Sequence, residues 1–190
     1  MEELEIVSEE TGVSLGLHVP RHDVIARGLW CRSTNVFVVN SRGQILCHQR
    51  SAQKERLAGF WSTHLGGHVG RGETFESNAL KELEEESGIR VDAFALIPWR
   101  TTKLQRARLW VREFVVCCDV ELSALVPQPG EVDRFAWKYP SDVYWESAAG
   151  MVPWCAGTHD FRTEYQCLLA VLTAAHAMGV IPQLVTPEIV

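Results

Sequence analysis

The segment Gly67–Ile89, GHVGRGETFESNALKELEEESGI, constrains the chain more than any other stretch of it. A glycine-bearing turn leads into a helix, and Gly88 stands where the helix must end. Thr74 is placed to cap the helix N-terminus, Glu76 favours the positive end of its dipole, and Phe75, Ala79 and Leu83 recur at the helical period. Glu82, Glu85 and Glu86 then fall at i, i+3 and i+4 on one face. Three carboxylates so close repel one another, and a hard divalent cation resolves the repulsion. Mg²⁺ or Mn²⁺ prefers carboxylate oxygens and keeps coordination positions for water and phosphate, so a phosphorylated substrate is expected. A solvated acidic face is the plainer reading of KELEEES. That reading does not require Gly67, Glu73 and Gly88 at their fixed spacing. The metal face adjoins the core face, which places the helix at the edge of a cleft.

At 190 residues, 46% hydrophobic and 22% charged, the chain suits one domain with a sizeable core. Its net charge of −6 and lack of a clustered Lys/Arg stripe argue against binding extended nucleic acid, while a small diphosphate remains a suitable partner. The start, MEELEIVSEE, is acidic without an apolar leader core, and no apolar run approaches the roughly 20 residues needed to span a bilayer. A cytoplasmic protein without membrane segments is the expectation. The six cysteines show no CxxC pairing and read as free buried thiols, with Cys117 and Cys118 pointing to opposite faces of a strand.

Three regions are expected: an N-terminal arm over 1–32, a core over 33–140 and a helical extension over 141–190. Thr34–Asn40, a turn at Ser41-Arg42-Gly43 and Gln44–Gln49 read as a hairpin. Phe60–Leu65 reads as a short strand entering Gly66-Gly67. Val91–Thr101 and Ala107–Val120 read as a strand pair joined by the basic turn Lys103–Arg108, and Val132–Lys138 as a last strand. Helices are expected at Ser141–Ala149 and at Phe161–Met178, where Leu168, Leu169, Leu172 and Ala175 keep helical spacing. The apolar stretch Val180–Val190 suits packing on the domain or across a homodimer. Together these elements suggest an α/β/α sandwich.

Gly67–Ile89 fits the Nudix signature G-x5-E-x7-R-E-U-x-E-E-x-G-U, where U is apolar, at every fixed position except Lys81, which stands for Arg. The chain resembles the Nudix superfamily over roughly residues 4–140, which implies the Nudix fold, an α/β/α sandwich with a mixed sheet. Asn40-Ser41-x-Gly43, Arg50-Ser51-x-x-Lys54, Gly59-x-Trp61 and Gly66-Gly67-His68 are similar to the branch related to type I isopentenyl-diphosphate isomerase. Met151-Val152-Pro153-Trp154 resembles a Pro-Trp element of the same enzymes. The resemblance implies that Glu82, Glu85, Glu86 and the Gly66 carbonyl hold Mg²⁺ or Mn²⁺, with His68 aligned to a metal-binding histidine and Cys31 at a second such position. It also implies that Arg50 and Lys54 hold the diphosphate, and that Glu73 and Lys81 orient the other glutamates. A lysine there lacks the rigid fork of arginine.

The isomerase needs a cysteine where this chain has Gly66, and it replaces most of the glutamates that are intact here. The departures favour metal-assisted hydrolysis by water attack on phosphorus. The general base is left open between Glu85, Glu86, Glu113 and Glu131. Substrate candidates are a nucleoside diphosphate derivative or an isoprenoid-like diphosphate. Trp61, Trp110 and Tyr139 either stack on the substrate or belong to the core. An isomerase using another acid and a non-catalytic diphosphate-binding module are the alternatives.

Overall fold

Alternation along the strands decides the layers. A computed structural model describes residues 2–155 and 161–179. It contains strands β1 (Glu3–Val7) and β2 (Ser14–Pro20), helix α1 (Arg21–Arg27), strands β3 (Cys31–Val39), β4 (Ile45–Arg50) and β5 (Trp61–Ser62), and helix α2 (Phe75–Ser87). These are followed by β6 (Ile97–Leu104), β7 (Leu109–Cys117), β8 (Val132–Lys138), α3 (Pro140–Ala148) and α4 (Phe161–Ala177). Along β3, Val36 and Val38 face α2, where they meet Ala79 and Leu83. Phe37 and Val39 face the other way, towards Val143 of α3 and Leu168, Val171 and Leu172 of α4. The result is the expected α/β/α sandwich. Cys117 packs in one layer and Cys118 in the other, as strand alternation requires.

The mixed sheet has the order β5-β4-β3-β7-β6, with β8 paired to β4. Strands β3 and β7 run parallel from Cys31↔Leu109 to Val39↔Cys117, while β6 returns antiparallel on β7. The hairpin of β3 and β4 is paired only at Val39↔Ile45. Beyond that point β8 keeps one edge of β4, and β5 takes the other at His48↔Ser62 and Gln49↔Trp61. The chain from Ser62 to Gly67 crosses this divergence and rejoins β3 through reciprocal Val36–Leu65 hydrogen bonds of 2.7 and 3.0 Å.

Helix α2 begins and ends as its sequence demands. Thr74 Oγ1 accepts from the Ser77 amide at 3.0 Å while Ser77 Oγ accepts from the Thr74 amide at 2.9 Å, and Gly88 closes the helix in the left-handed conformation. Three expected strands are shorter than their sequences suggest, Ala107–Val120 being strand only over Leu109–Cys117. Only Trp61–Ser62 of Phe60–Leu65 is strand, and Val91–Thr101 opens with a single 3₁₀ turn at Ala93–Ala95 before β6 starts at Ile97.

The largest departure is the N-terminal arm. Strands β1 and β2 pair antiparallel, and Leu4, Ile6 and Val24 form a small core with Cys31. The stretch Val180–Val190 lies outside the described residues. No helix among the described residues is long and apolar enough to cross a membrane.

Leu83 is fully buried beneath the sheet, whereas the Thr74 cap is exposed. Leu83→Ala is therefore expected to cost about 2–5 kcal/mol in urea unfolding, and Thr74→Ala about 1 kcal/mol. Equal small losses would mean that α2 is not docked through this face.

Candidate active site

The site is built where Gly66 and Gly67 pass between β3 and α2. The Gly67 carbonyl accepts from the Thr34 amide and from Ser33 Oγ, both at 2.9 Å, which draws the double glycine against the strand. Gly66 has φ +148°, and a Cβ there would lie 2.0 Å from the Thr34 carbonyl oxygen. A Cβ on Gly67 would lie 2.6 Å from Cδ of Glu82. Bare backbone is thus the condition for the two glutamates to lie against this turn. The Gly66 amide donates to Glu86 at 3.0 Å, which fixes the innermost carboxylate.

A second set of contacts holds the start of the turn. Glu73 accepts from the Gly70 amide at 2.7 Å, from Asn78 Nδ2 at 3.0 Å and from Lys81 Nζ at 2.9 Å. Burial raises the Glu73 carboxyl, but these donors outweigh it and hold the group below the usual carboxylate range. Lys81 Nζ also stands 3.9 Å from Glu82, so one ammonium spans both carboxylates. Asn78 is fully buried: its amide nitrogen reaches the His68 carbonyl at 3.0 Å, and its oxygen accepts from Thr34 Oγ1 at 2.5 Å. Asn78 is a site residue beyond those expected from the sequence, where its one signal is a polar side chain within the apolar stripe of α2.

The three glutamates have unequal surroundings. Burial pushes Glu82 up to about 7, with Glu85 and Glu73 adding repulsion against the opposing Lys81. Burial pushes Glu86 up to about 8, opposed by the Gly66 amide and reinforced by Glu82 and Glu131. Glu85 is exposed. Lys54 pairs with Glu131, and both act on Glu86, which brings the loop after β4 and the loop before β8 to α2. Arg50 donates to the Arg56 carbonyl at 3.1 Å.

This donor set suits a divalent cation. Two carboxylates that resist ionisation gain most from a positive charge beside them, and hard oxygen donors are what Mg²⁺ or Mn²⁺ takes. No hydrogen bond among the described residues ends on the Gly66 carbonyl, so it is available as a further oxygen ligand. Among the described residues no group of three His, Cys, Asp or Glu is already gathered in ligand geometry. A cation held by few side chains with several waters is the usual Mg²⁺ arrangement.

Other expected site residues lie elsewhere. Glu113 is buried and ion-paired with Arg100, whose guanidinium also meets Cys167 of α4, on the sheet face opposite α2. It is not among the groups acting on Glu82 or Glu86. Trp61 is 7% exposed and packs on Trp154 with ring centroids 6.1 Å apart, inside the core. The Pro-Trp element forms that contact: the Trp61 amide donates to the Pro153 carbonyl at 2.8 Å and the Cys155 amide to the Trp61 carbonyl at 2.6 Å. Trp110 donates its indole N–H to the Ser8 and Glu9 carbonyls at 3.2 Å, and Tyr139 precedes α3 with its ring 44% exposed. Burial pushes His68 down to about 4 and the Cys31 thiol up to about 11.

The N-terminal hairpin forms one wall of the site. Leu4 bridges Gly70, the Arg71 amide donates to the Glu3 carbonyl at 3.0 Å, and Arg71 pairs with the Glu3 carboxylate at 2.9 Å. Arg21 and Glu2, paired at 2.9 Å, both act on His68.

The sequence model of the NUDIX domain family matches residues 29–155. The chain belongs to the Nudix family. It is 39% identical over 72 residues to an uncharacterised Nudix hydrolase of Pseudomonas aeruginosa, covering 38% of this chain but 43% of that protein. An uncharacterised Nudix hydrolase of a Nostoc species is 31% identical over 149 residues, 75% of this chain and 85% of its own length. An isopentenyl-diphosphate Delta-isomerase of Paenarthrobacter aurescens is 25% identical over 124 residues, 62% of this chain and 67% of that protein, so the isomerase branch is represented too. The crystal structure of DR0079 from Deinococcus radiodurans superposes with a TM-score of 0.69 at 25% identity, covering 85% of this chain and 98% of that one.

One prediction rests on the burial of Glu86 and the half-burial of Glu82, and a second on the backbone at Gly66. The raised values of the two glutamates mean that the folded protein keeps protons which the unfolded chain releases above about 4.5. The associated stability is full below that pH and is lost as pH rises through about 7 and 8. Without metal, Glu86→Gln should therefore melt several degrees above the parent at pH 8.5 and converge with it near pH 5; added Mn²⁺ should raise the parent more than the variant. At Gly66, substitution by Ala or Cys should cost more than about 2 kcal/mol, because strain and a backbone clash combine there. Unchanged melting of Gly66→Ala would refute this account of the turn.

Proposed function

We propose that the protein is a metal-dependent hydrolase that cleaves a diphosphate linkage by water attack on phosphorus. The observation that carries the reading is the pair of carboxylates, buried Glu86 and half-buried Glu82, held against Gly66-Gly67 with Lys54 and Glu131 brought to the same place. Bound Mg²⁺ or Mn²⁺ would neutralise phosphate charge and make water acidic enough to act as nucleophile. Glu82, Glu86, the exposed Glu85 and the Gly66 carbonyl would hold it; the His68 carbonyl is taken by Asn78 Nδ2 at 3.0 Å, which leaves its imidazole as a further candidate ligand.

The surrounding residues take distinct roles in this reading. Lys54 and Arg50 orient the diphosphate, with Lys54 exchanging Glu131 for a phosphate oxygen. That exchange releases the Glu131 carboxylate to accept the proton from the attacking water. Glu85 is the other candidate for that task, and Glu113 is the least suited because Arg100 occupies it. Trp61 contributes by fixing the strand that leads into Gly66 rather than by stacking on substrate.

The isomerase alternative fares worse on geometry. A thiol at position 66 would require a Cβ where the Thr34 carbonyl lies. A binding module without turnover is distinguished by ligand-dependent thermal stabilisation with no product.

The test is phosphate or monophosphate release from a panel of diphosphates with Mg²⁺ or Mn²⁺. Glu86→Gln and Glu82→Gln are each expected to lower kcat about 100-fold or more while the fold persists. Full activity in Glu86→Gln would sink the reading. Comparing kcat against pH for Glu85→Gln and Glu131→Gln separates the two bases, since only loss of the true base removes the acidic limb.

A further inference from the structure

Six buried side-chain polar atoms lack a hydrogen-bond partner among the described residues, and three of them, His48 Nδ1, Arg50 Nε and His64 Nδ1, belong to side chains that act electrostatically on one another. His48 and Arg50 are two apart on β4 and so share a face. His48 is the register partner of Ser62, whose hydroxyl donates to the His64 carbonyl at 2.9 Å. All three residues therefore flank the place where β3 parts from β4 and the chain crosses towards Gly66, His48 and Arg50 from the side of Phe135 and His64 from the side of Phe37. Lys54, four residues beyond Arg50, links this place to Glu131 and Glu86.

The ring positions are fixed. His64 rests on Phe37 with centroids 5.5 Å apart, and His48 meets Phe135 edge-on at 6.5 Å. His48 is 4% exposed, and burial pushes it down to about 3, so its imidazole is neutral, with one nitrogen donating and the other accepting. Arg50 spends Nη2 on the Arg56 carbonyl, which leaves Nε directed elsewhere. A buried donor or acceptor left unmatched is costly, and an alkyl chain matches none of these groups. Hydroxyls both donate and accept, so they satisfy an imidazole in either tautomer as well as a guanidinium N–H.

We propose that His48 and His64 are specificity-determining residues that bind hydroxyl groups on the moiety attached to the diphosphate, with Arg50 Nε as a third donor, and so discriminate against an unsubstituted isoprenoid chain. This rests on the diphosphate-hydrolase reading and decides between its two substrate classes. The carboxylates of α2 and Lys54 address the diphosphate, His48 and His64 address what it carries, and Arg50 at the end of β4 stands between them, with its terminal nitrogens towards the diphosphate and Nε towards the hydroxyls.

The experiment compares ADP-ribose, as a hydroxylated diphosphate, with geranyl diphosphate, using the full chain and Mg²⁺. Wild type should favour ADP-ribose by about tenfold or more in kcat/KM. His48→Leu and His64→Leu should raise KM for ADP-ribose about tenfold, with kcat within about twofold and KM for geranyl diphosphate unchanged or lower. His48→Gln and His64→Gln, which keep a hydrogen-bonding group, should recover most of the loss. Equal kcat/KM for the two substrates in wild type, or leucine variants that weaken both alike, would overturn the proposal while leaving the hydrolase reading intact. If the leucine variants do not fold, inhibition of the wild type by ribose 5-phosphate against isopentenyl phosphate decides, equal inhibition counting against it. If neither diphosphate is hydrolysed the hydrolase reading has failed, and calorimetric titration of both still reads the preference: equal or absent binding overturns it.

Discussion

Everything at the candidate site depends on the approach of a side-chain-free backbone to the inner face of α2. Gly66 fits beneath the Thr34 carbonyl, and Gly67 leaves room for the Glu82 carboxylate. With the backbone this close, the Gly66 amide reaches Glu86, and a carboxylate that burial disfavours acquires a fixed direction. The fold tolerates two such groups because the large apolar layers on both sides of the sheet supply stability that the site itself does not. The carboxylates are costly to bury and are held nonetheless, a conflict between stability and geometry that marks functional sites more often than structural ones.

The divergence of β3 from β4 organises the rest. Had the hairpin paired along its whole length, the chain from Ser62 to Gly67 could not enter the sheet and the double glycine would have no strand to lie against. Pairing instead stops after Val39↔Ile45, and β8 compensates β4 on its other edge. Trp61 secures the new edge through backbone bonds to Pro153 and Cys155, the residues on either side of Trp154. A contact that looks like ordinary aromatic packing thus sets the entry angle of the functional turn, and it explains why the Pro-Trp element lies within the region shared with the family.

Local features of the site were legible in the sequence because they are enforced locally. Thr74 and Gly88 bound α2 through hydrogen bonds to neighbours three or four residues away, and Cys117 and Cys118 part because strand period is two. What was illegible depends on register between distant segments. Glu113 looked available as a base because nothing near it in sequence neutralises it; its partner Arg100 comes from the adjacent strand across a bulge. The hairpin of β1 and β2 does carry the strand period in its sequence, since Leu4 and Ile6 alternate with glutamates and Leu15, Leu17 and Val19 with Ser14, Gly16 and His18; what the alternation does not show is that Leu4 and Ile6 are buried while Leu15 and Leu17 stay exposed. The role of Asn78 is illegible for a related reason, since its partners Thr34, His68 and Glu73 converge only in the folded chain.

Gly66 also bears on how a hydrolase and an isomerase can share so much sequence. From the residues alone the difference is a missing thiol together with glutamates that the isomerase replaces, which suggests that the activities are a few side-chain substitutions apart. The geometry argues otherwise. At φ +148°, with a carbonyl oxygen 2.0 Å from where Cβ would be, position 66 admits no side chain unless the strand crossing moves. Moving it would withdraw the amide that directs Glu86 and the carbonyl suited to a metal. The glycine that forecloses proton transfer by a thiol is the same residue that assembles the carboxylate site, so in this chain the two chemistries exclude each other through the backbone rather than through the choice of one side chain.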